Sequence, residues 1–277
     1  MTDIARSRSQ LEKVLHEIGA VAVAVSGGVD SLTLATAAHR TLCGAAEMFH
    51  AVSPAVPREA TARVRSLAAA EGWKLSVVNA GEFADTNYRA NPVNRCFYCK
   101  TNLYATVAPH TRLQIVAGTN LDDLGEYRPG LEAAKDHGVR HPFVEAGIDK
   151  QTVRAIARDI GLRDIAELPS APCLSSRIET GIAIDPAMLE RVHAAELLVS
   201  RSLAPRTVRC RVRAQGVVIE LDEQKLAGLD QRTRETITAD VGTLFRDGGF
   251  DYPVTLAPYR TGSAFLVQLQ RDARIAL

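Results

Sequence analysis

Residues 20–31 read Ala20-Val-Ala-Val-Ala-Val25-Ser26-Gly27-Gly28-Val29-Asp30-Ser31, and this stretch decides the fold. Its first six residues are wholly apolar, which is typical of a short strand buried on both faces. A segment rich in Ala and Leu follows after a short loop and predicts a helix from Asp30 to Arg40. A doubly buried strand that leads at once into a helix indicates a parallel sheet covered by helices.

The same alternation of strand and helix continues to about residue 120. It predicts strands at Met48–Ser53, Lys74–Val78 and Gln114–Ala117, and helices at Arg58–Glu71 and Lys100–Ala108. The fold class is therefore α/β, with helices on both faces of a parallel sheet. Because ligands of such sheets bind at the carboxyl ends of the strands, the loops after Val25 and Ala117 are the candidate site.

A smaller α+β domain is predicted after residue 180. An amphipathic helix is expected over Asp185–Leu203, followed by a hairpin of Thr207–Arg213 and Val217–Leu221. Two further strands are expected at Tyr252–Ala257 and Ala264–Gln270. The predicted domains are residues 1–180 and 181–277.

Composition excludes several classes of protein. The chain has 277 residues, of which 46% are apolar, and a formal net charge of +1. A near-neutral chain is not built for bulk electrostatic binding to nucleic acid or to an anionic membrane. The sequence has neither an apolar stretch long enough to span a membrane nor the apolar segment of a secretory signal. Its five cysteines are an odd number for a disulfide framework, so we expect a cytoplasmic protein.

Two loops form the candidate ligand site, and the first of them predicts phosphate binding. In Ser26-Gly27-Gly28-Val-Asp30-Ser31 the glycines allow close approach of a ligand, and the loop amides with the following helix N-terminus suit an anion. The Walker A spacing and its lysine are missing. Gly118-Thr119-Asn120-Leu-Asp122 follows the fourth predicted strand and ends in acidic residues. For either loop the alternative is an ordinary helix cap.

Three cysteines are candidate metal ligands. Cys96 and Cys99 form a C-x-x-C, which alone is ambiguous between redox, zinc and iron–sulfur chemistry. Together with Cys173 they would supply the three thiolates of a [4Fe–4S] cluster that keeps one iron open. Cys43 and Cys210 are interpreted as small buried residues.

These stretches closely resemble the LarE sulfur transferases of lactate racemase maturation, a branch of the PP-loop ATP pyrophosphatases. The resemblance rests on Ser26–Ser31, Asn94–Lys100, Gly118–Gly130 and residues 171–178, in the family order. It implies ATP and Mg²⁺ as cofactors, with Asp30 assisting the metal. It also implies that the carboxylates of pyridinium-3,5-biscarboxylic acid mononucleotide become thiocarboxylates, and it suggests a homo-oligomer.

The resemblance leaves two sources of sulfur open. In one branch the cysteine that matches Cys173 gives up its own sulfur and becomes dehydroalanine. Cys96 and Cys99 favour the other branch, in which a [4Fe–4S] cluster holds a sulfide whose donor is unknown. Lys100 and Arg177 lie beside these cysteines and are candidate catalytic cations, with solvated surface charges as the alternative.

Substrate-binding candidates lie close to Cys173 and on the predicted hairpin. They are Ser176, Arg211 and Arg213. Arg209, Arg211 and Arg213 alternate with apolar residues, so their side chains should share one face of a strand. Arginine suits bidentate binding of the substrate phosphate, and the alternative is an ordinary solvated sheet face.

Three other functions compete with this hypothesis. A PP-loop tRNA thiolation enzyme would carry similar cysteines, but the near-zero net charge disfavours a tRNA surface. An amide-forming synthetase would leave the cysteines unexplained. A non-catalytic iron–sulfur or metal carrier on a nucleotide-binding fold is the non-enzymatic alternative.

Overall fold

The computed structural model describes residues 3–125, 128–170 and 172–265. The chain forms two compact units: Met1–Glu82 with Cys96–Ala171, and Phe83–Arg95 with Pro172–Leu277. This division begins the C-terminal unit at Pro172 instead of residue 181, and it adds a segment from the first half of the chain. Among the described residues, none of the helices has the length and apolar character that crossing a bilayer requires.

The helices and strands alternate through the first half of the chain. In chain order the described elements are α1 (Asp3–Ile18), β1 (Val21–Ala24), α2 (Val29–Thr41), β2 (Ala46–Val52), α3 (Arg58–Glu71), β3 (Lys74–Asn79), α4 (Thr86–Arg89), α5 (Arg95–Val107), β4 (Gln114–Ala117), α6 (Pro129–Asp136), α7 (Pro142–Glu145), α8 (Lys150–Asp159), α9 (Arg163–Ala166), α10 (Pro186–Leu203), β5 (Val208–Arg213), β6 (Gly216–Leu221), α11 (Glu223–Ala227), α12 (Gln231–Arg246) and β7 (Val254–Pro258).

The first unit is built on a four-stranded parallel sheet in the order β3-β2-β1-β4. The chain moves from β1 outward to β3 and then returns to the other side of β1, where Val23 lies beside Val116. The order of strands therefore reverses between β1 and β4. Such a reversal opens a crevice at the carboxyl ends of the two strands. The predicted α/β fold with a parallel sheet is confirmed.

Helices cover both faces of this sheet. Val21 and Val23 face a core that includes Leu32 of α2 and Ile156 of α8. Ala22, between them, faces a second core that includes Tyr104 of α5. Because neighbouring strand residues point to opposite faces, an apolar run without alternation is what a strand covered on both sides requires.

Helix α5 begins at Arg95, five residues before the predicted start at Lys100. The C-x-x-C is consequently helical. Cys, Phe and Tyr have modest helix propensity, but burial of Tyr104 and Val107 against the sheet stabilises the helix. The prediction for Cys43 is wrong: α2 ends at Thr41, and Cys43 lies exposed in the following turn, with a φ of +52°. Cys210 is buried as predicted.

The second unit contains a three-stranded sheet in the order β5-β6-β7. The predicted hairpin is confirmed as antiparallel β5 and β6, and β7 runs parallel to β6. Helix α10 packs on β5 and α12 on β7. The Asp185 carboxylate caps α10 by accepting from the amides of Ala187 and Met188. Of the candidate strand Ala264–Gln270, residues 266–270 lie outside the described residues.

Candidate functional site

The glycine loop after β1 is held close to the neighbouring helix. Gly27 has a φ of +85°, and a β-carbon there would lie 2.8 Å from the carbonyl oxygen of Ala60 in α3. The Ser31 hydroxyl donates to the carbonyl of Gly28 at 3.2 Å and accepts from the amide of Ser26 at 3.1 Å. The backbone of this loop therefore has a fixed shape that only glycine permits at position 27.

Two side chains that the sequence analysis missed fix the same loop from outside. The Arg63 guanidinium of α3 donates to the carbonyl of Gly27 at 2.6 Å. His50 of β2 is fully buried and joins the carbonyl of Val25 at 2.8 Å to the hydroxyl of Thr61 at 2.9 Å. Burial lowers the pKa of His50, so its ring is neutral and Nδ1 donates to the carbonyl.

The second predicted loop meets the first at the crevice between β1 and β4. A β-carbon at Gly118 would lie 2.9 Å from the backbone carbonyl carbon of Asp30, which is in the first turn of α2. Asn120 is buried, and its amide group donates to the Asp30 carboxylate at 3.3 Å. Asn120 also accepts from the amide of Asp122 at 3.1 Å. Thr119 is half-buried. The structure thus brings the two loops together, while their roles stay predictions.

Lys150 also belongs to this site, although the sequence analysis did not select it. Its ammonium lies 2.5 Å from the Asp30 carboxylate, and its backbone amide donates to the Asp122 carboxylate at 3.3 Å. Lys150 is the first residue of α8, where the helix dipole disfavours a positive charge. A lysine at a helix start was the signal that could have found it.

The C-x-x-C lies on α5 in the first unit. On this helix, Cys99 lies three residues after Cys96 and Lys100 lies four residues after it. These spacings place the three side chains on one face of the helix. Both cysteines are half-buried. The Lys100 ammonium lies 5.9 Å from the ring centre of Tyr104. A β-carbon at Gly130 would lie 3.1 Å from the Lys100 side chain, so the start of α6 covers part of this face.

Cys173 lies in the second unit, immediately before a short 3₁₀ helix of Leu174–Arg177. Arg177 is buried and pairs with Glu196 through two hydrogen bonds of 2.9 and 3.1 Å. Its other guanidinium nitrogen donates to the carbonyls of Pro172 at 2.6 Å and Cys173 at 3.2 Å. Arg177 therefore fixes the backbone around the cysteine, and the alternative of a solvated charge is wrong. That Cys173 joins Cys96 and Cys99 stays a prediction.

Arg211, in the middle of the arginine face of β5, is buried, so the solvated-face alternative is wrong for this residue. Arg211 is 4% exposed and pairs with Glu220, which is 1% exposed, at 3.1 Å. It also donates to the carbonyl of Ser176 at 3.0 Å. Arg213 shares Glu220 at 2.8 Å but is 30% exposed. A cavity of about 370 Å³ is lined by Arg213, together with Glu179, Gly216, Pro253 and Thr255.

The chain is similar along nearly its whole length to three known proteins. It is 35% identical over 257 residues to an uncharacterized protein of Synechocystis sp., covering 91% of this chain and 94% of that protein. It is 28% identical over 278 residues to the pyridinium-3,5-bisthiocarboxylic acid mononucleotide synthase of Lactiplantibacillus plantarum, covering 94% of this chain and 99% of the synthase.

The chain belongs to the LarE family. An uncharacterized protein of Methanocaldococcus jannaschii is 26% identical to this LarE-family chain over 237 residues, 83% of this chain and 86% of the relative. No protein-family model matches the sequence. The alignment with the synthase covers 94% of this chain, so it extends over both units.

Proposed function

We propose that this LarE-family chain is an ATP-dependent sulfur transferase. It would convert the carboxylates of pyridinium-3,5-biscarboxylic acid mononucleotide into thiocarboxylates and form AMP and pyrophosphate. The observation that carries this proposal is the full-length similarity to a synthase of the bisthiocarboxylic acid mononucleotide. The joined loops at the crevice between β1 and β4 support the use of ATP.

The residues of the crevice fit a magnesium nucleotide. Among the described residues no side chain caps α2 at Gly28, so the amides of its first turn are available to phosphate. Because Gly27 and Gly118 have no β-carbon, both loops pack directly against neighbouring backbone. A β-carbon at either position would collide with that backbone. Asp30 offers the carboxylate oxygens that Mg²⁺ prefers. When bound, magnesium would neutralise charge on the phosphates.

The reaction has two steps that balance without an oxidant. A carboxylate oxygen of the substrate attacks the α-phosphorus of ATP, and pyrophosphate leaves. A sulfur nucleophile then attacks the activated acyl carbon, and AMP leaves with the former carboxylate oxygen. Adenylation is needed because a free carboxylate resists nucleophilic attack and has no good leaving group.

The sulfur source is the second part of the proposal. Cys96, Cys99 and Cys173 would hold a [4Fe–4S] cluster, whose open iron would carry sulfide. The spacing of Cys96 and Cys99 on one face of α5 fits two ligands to one cluster. In the alternative, Cys173 itself supplies one sulfur atom and becomes dehydroalanine. The Arg177 contact to its carbonyl would serve either route by holding the cysteine in place.

The substrate phosphate would bind at Arg213. This guanidinium is partly exposed and lines the cavity in the second unit, whereas Arg211 is enclosed by Glu220 and the carbonyl of Ser176. Arg211 and Ser176 would then have a positioning role: the contact between them would hold the face of β5 from which Arg213 binds the phosphate. As a separate proposal, the chain would form the homo-oligomer that the family resemblance suggests.

Pyrophosphate release tests the function. Anaerobic protein should release pyrophosphate only when ATP, Mg²⁺ and the pyridinium biscarboxylic acid mononucleotide are all present. Asp30→Ala should abolish this release, and Asp136→Ala, which removes an exposed carboxylate from the same unit, should not. Release that is unchanged in a folded Asp30→Ala protein would contradict the nucleotide site. A protein that binds iron but releases no pyrophosphate would favour the carrier, and release stimulated by tRNA would favour the thiolation enzyme.

A further inference from the structure

The cavity that Arg213 lines in the second unit also contains a carboxylate. Its volume is about 370 Å³, and its walls are formed by Glu179, by residues 213–218 of the hairpin of β5 and β6, and by Pro253 and Thr255 at the start of β7. Among these lining residues, Glu179 and Arg213 carry charges. Pockets of roughly 300–1,000 Å³ hold small ligands, which a few polar groups orient. A ligand in this cavity would therefore meet one charge of each sign.

The wall of this cavity has a fixed shape at the hairpin. Gly216 has a φ of +139°, and a β-carbon there would lie 2.5 Å from the carbonyl oxygen of Pro253. The amide of Val217 donates to the same carbonyl at 2.9 Å. Because backbone packs directly on backbone at this place, the cavity is a preformed part of the fold.

Arg213 keeps hydrogen-bond donors for a ligand. Within the described part of the chain only Nη2 of its guanidinium donates, to Glu220 at 2.8 Å. Glu220 also accepts from Arg211 at 3.1 Å, so one carboxylate balances two guanidinium groups. The surplus of positive charge favours an anion, and phosphate can accept two parallel hydrogen bonds from one guanidinium.

Glu179 brings a negative charge to the same cavity. Its backbone is fixed, because its amide donates to the carbonyl of Val212 at 2.9 Å. Its carboxylate accepts from the amide of Ala214 at 3.4 Å. None of the ion pairs between described residues includes Glu179, and Arg213 pairs with Glu220 instead. A carboxylate that lines a preformed cavity without a cation can bind a positive group of a ligand.

We infer that Glu179 recognises the positively charged ring nitrogen of the substrate, so that this cavity selects a pyridinium mononucleotide over a nucleotide with a neutral ring. The inference rests on the proposed function, in which Arg213 binds the phosphate. The ring nitrogen carries the ribose, so the positive end of the ring is the end nearer the phosphate. The carboxylates at ring positions 3 and 5 point away from it. A cavity with one guanidinium and one carboxylate therefore matches the phosphate and the ring nitrogen.

Two nucleotides that differ in the charge of the ring test the inference without turnover. The first is the pyridinium biscarboxylic acid mononucleotide, and the second is its dihydropyridine, in which an added hydride makes the ring neutral. Calorimetric titration without ATP gives the Kd of each. Wild-type protein should bind the pyridinium form about 3- to 5-fold more tightly than the neutral form, as expected for a partly solvated pair of charges.

Glu179→Gln should remove this preference by weakening binding of the pyridinium form. The amide oxygen of Gln can still accept from the amide of Ala214, so the substitution removes the charge and keeps the hydrogen bond. Glu179→Asp should retain part of the preference, because it keeps the charge on a shorter side chain. Arg213→Met should weaken binding of both nucleotides by the same factor, since both carry the phosphate.

A control separates the role of Glu179 from a general effect of charge. Glu223→Gln removes an exposed carboxylate at the first residue of α11, in the same unit, and should change neither Kd. Circular dichroism confirms that each variant is folded.

Pyrophosphate release with ATP, Mg²⁺ and the pyridinium form is measured beside the titrations. Its absence in the wild-type protein overturns the proposed function, whatever the affinities. When release is present, a wild-type protein that does not prefer the pyridinium form overturns only the role of Glu179. A preference that survives unchanged in Glu179→Gln also overturns it, since Glu179 would then serve only the amide of Ala214.

Discussion

Gly118 lies so close to Asp30 that a β-carbon at position 118 would be 2.9 Å from the carbonyl carbon of Asp30 and 3.0 Å from the amide nitrogen of Ser31. Both neighbours are backbone atoms in the first turn of α2, so they cannot move aside as the end of a long side chain can. The contact joins the two loops that carry the nucleotide residues of the proposed function.

Gly118→Ala should separate the two loops. The added methyl group must push α2 away from the loop after β4, which we expect to destabilise the fold by about 1–3 kcal/mol and to weaken ATP binding. Gly125→Ala is a matched control, because a β-carbon at Gly125 meets none of the described residues within 4 Å and its φ is not positive. Thermal unfolding and ATP titration measure both effects. Equal ATP affinity in the two variants would show that the close contact has no role in binding.

His50 should make the stability depend on pH. Burial lowers its pKa in the folded state, so the unfolded chain takes up a proton at higher pH than the folded chain does. The free energy of unfolding should therefore be greatest above about pH 6.5, the ordinary histidine pKa, and should decline as the pH falls below it. His50→Gln should reduce this decline. Part should remain, because burial also lowers the pKa of His141.

Denaturant unfolding at several pH values measures this effect. His110→Gln serves as the control, since His110 is exposed at the surface of the same unit. The comparison concerns the slope of stability against pH, because loss of the contacts to Val25 and Thr61 lowers stability at every pH. If the slope of stability against pH in His50→Gln equals that of the wild-type protein, His50 is not the source of the pH dependence.

Arg213 and Arg211 should respond differently to replacement. Arg213→Met should raise the KM for the pyridinium substrate much more than the KM for ATP, with a small change in Tm, because Glu220 keeps Arg211 as a partner. Arg211→Met breaks a buried ion pair, which is expected to destabilise the protein by about 3–5 kcal/mol. Arg201→Met, at an exposed position on α10, is the control. Unchanged substrate kinetics in Arg213→Met would remove Arg213 from the substrate site.

Replacement of the cysteines should distinguish the two sulfur sources. On the cluster route, protein purified without oxygen should be brown, and Ala in place of Cys96, Cys99 or Cys173 should each reduce the bound iron. Supplied with sulfide, the protein should turn over repeatedly, with Cys173 intact by mass spectrometry. Cys210→Ala is the control, since this buried thiol lies on β5 and burial raises its pKa.

The sacrificial route gives the opposite result. It allows at most one sulfur atom per chain and leaves dehydroalanine at position 173, with a mass lower by one H₂S. Up to one equivalent of thiocarboxylate per chain from a protein with Ala at both Cys96 and Cys99 would exclude the cluster and leave Cys173 as the source. Iron content, product formed per chain and the mass of the Cys173 peptide measure these outcomes.

The parallel sheet could be predicted because its signals are local. An apolar run without alternation at residues 20–25 and the glycines that follow it define a strand, a loop and a helix within a dozen residues. The start of α5 could not be predicted, because burial of Tyr104 and Val107 against the sheet overrides the modest helix propensity of Cys96 to Cys99. Cys43 was misplaced because the sequence did not show that α2 ends at Thr41.

Local patterns in the sequence establish the α/β class, the two loops and the candidate cysteines, since each depends on residues that are neighbours in the chain. The pairing of Lys150 with Asp30 and of Arg177 with Glu196 is visible only in the folded protein. The same is true of Glu220, which contacts both Arg211 and Arg213. These are pairs of charges from separate segments. A charged residue in a sequence looks the same whether it is solvated or paired, and burial and partners come from the packing of distant elements.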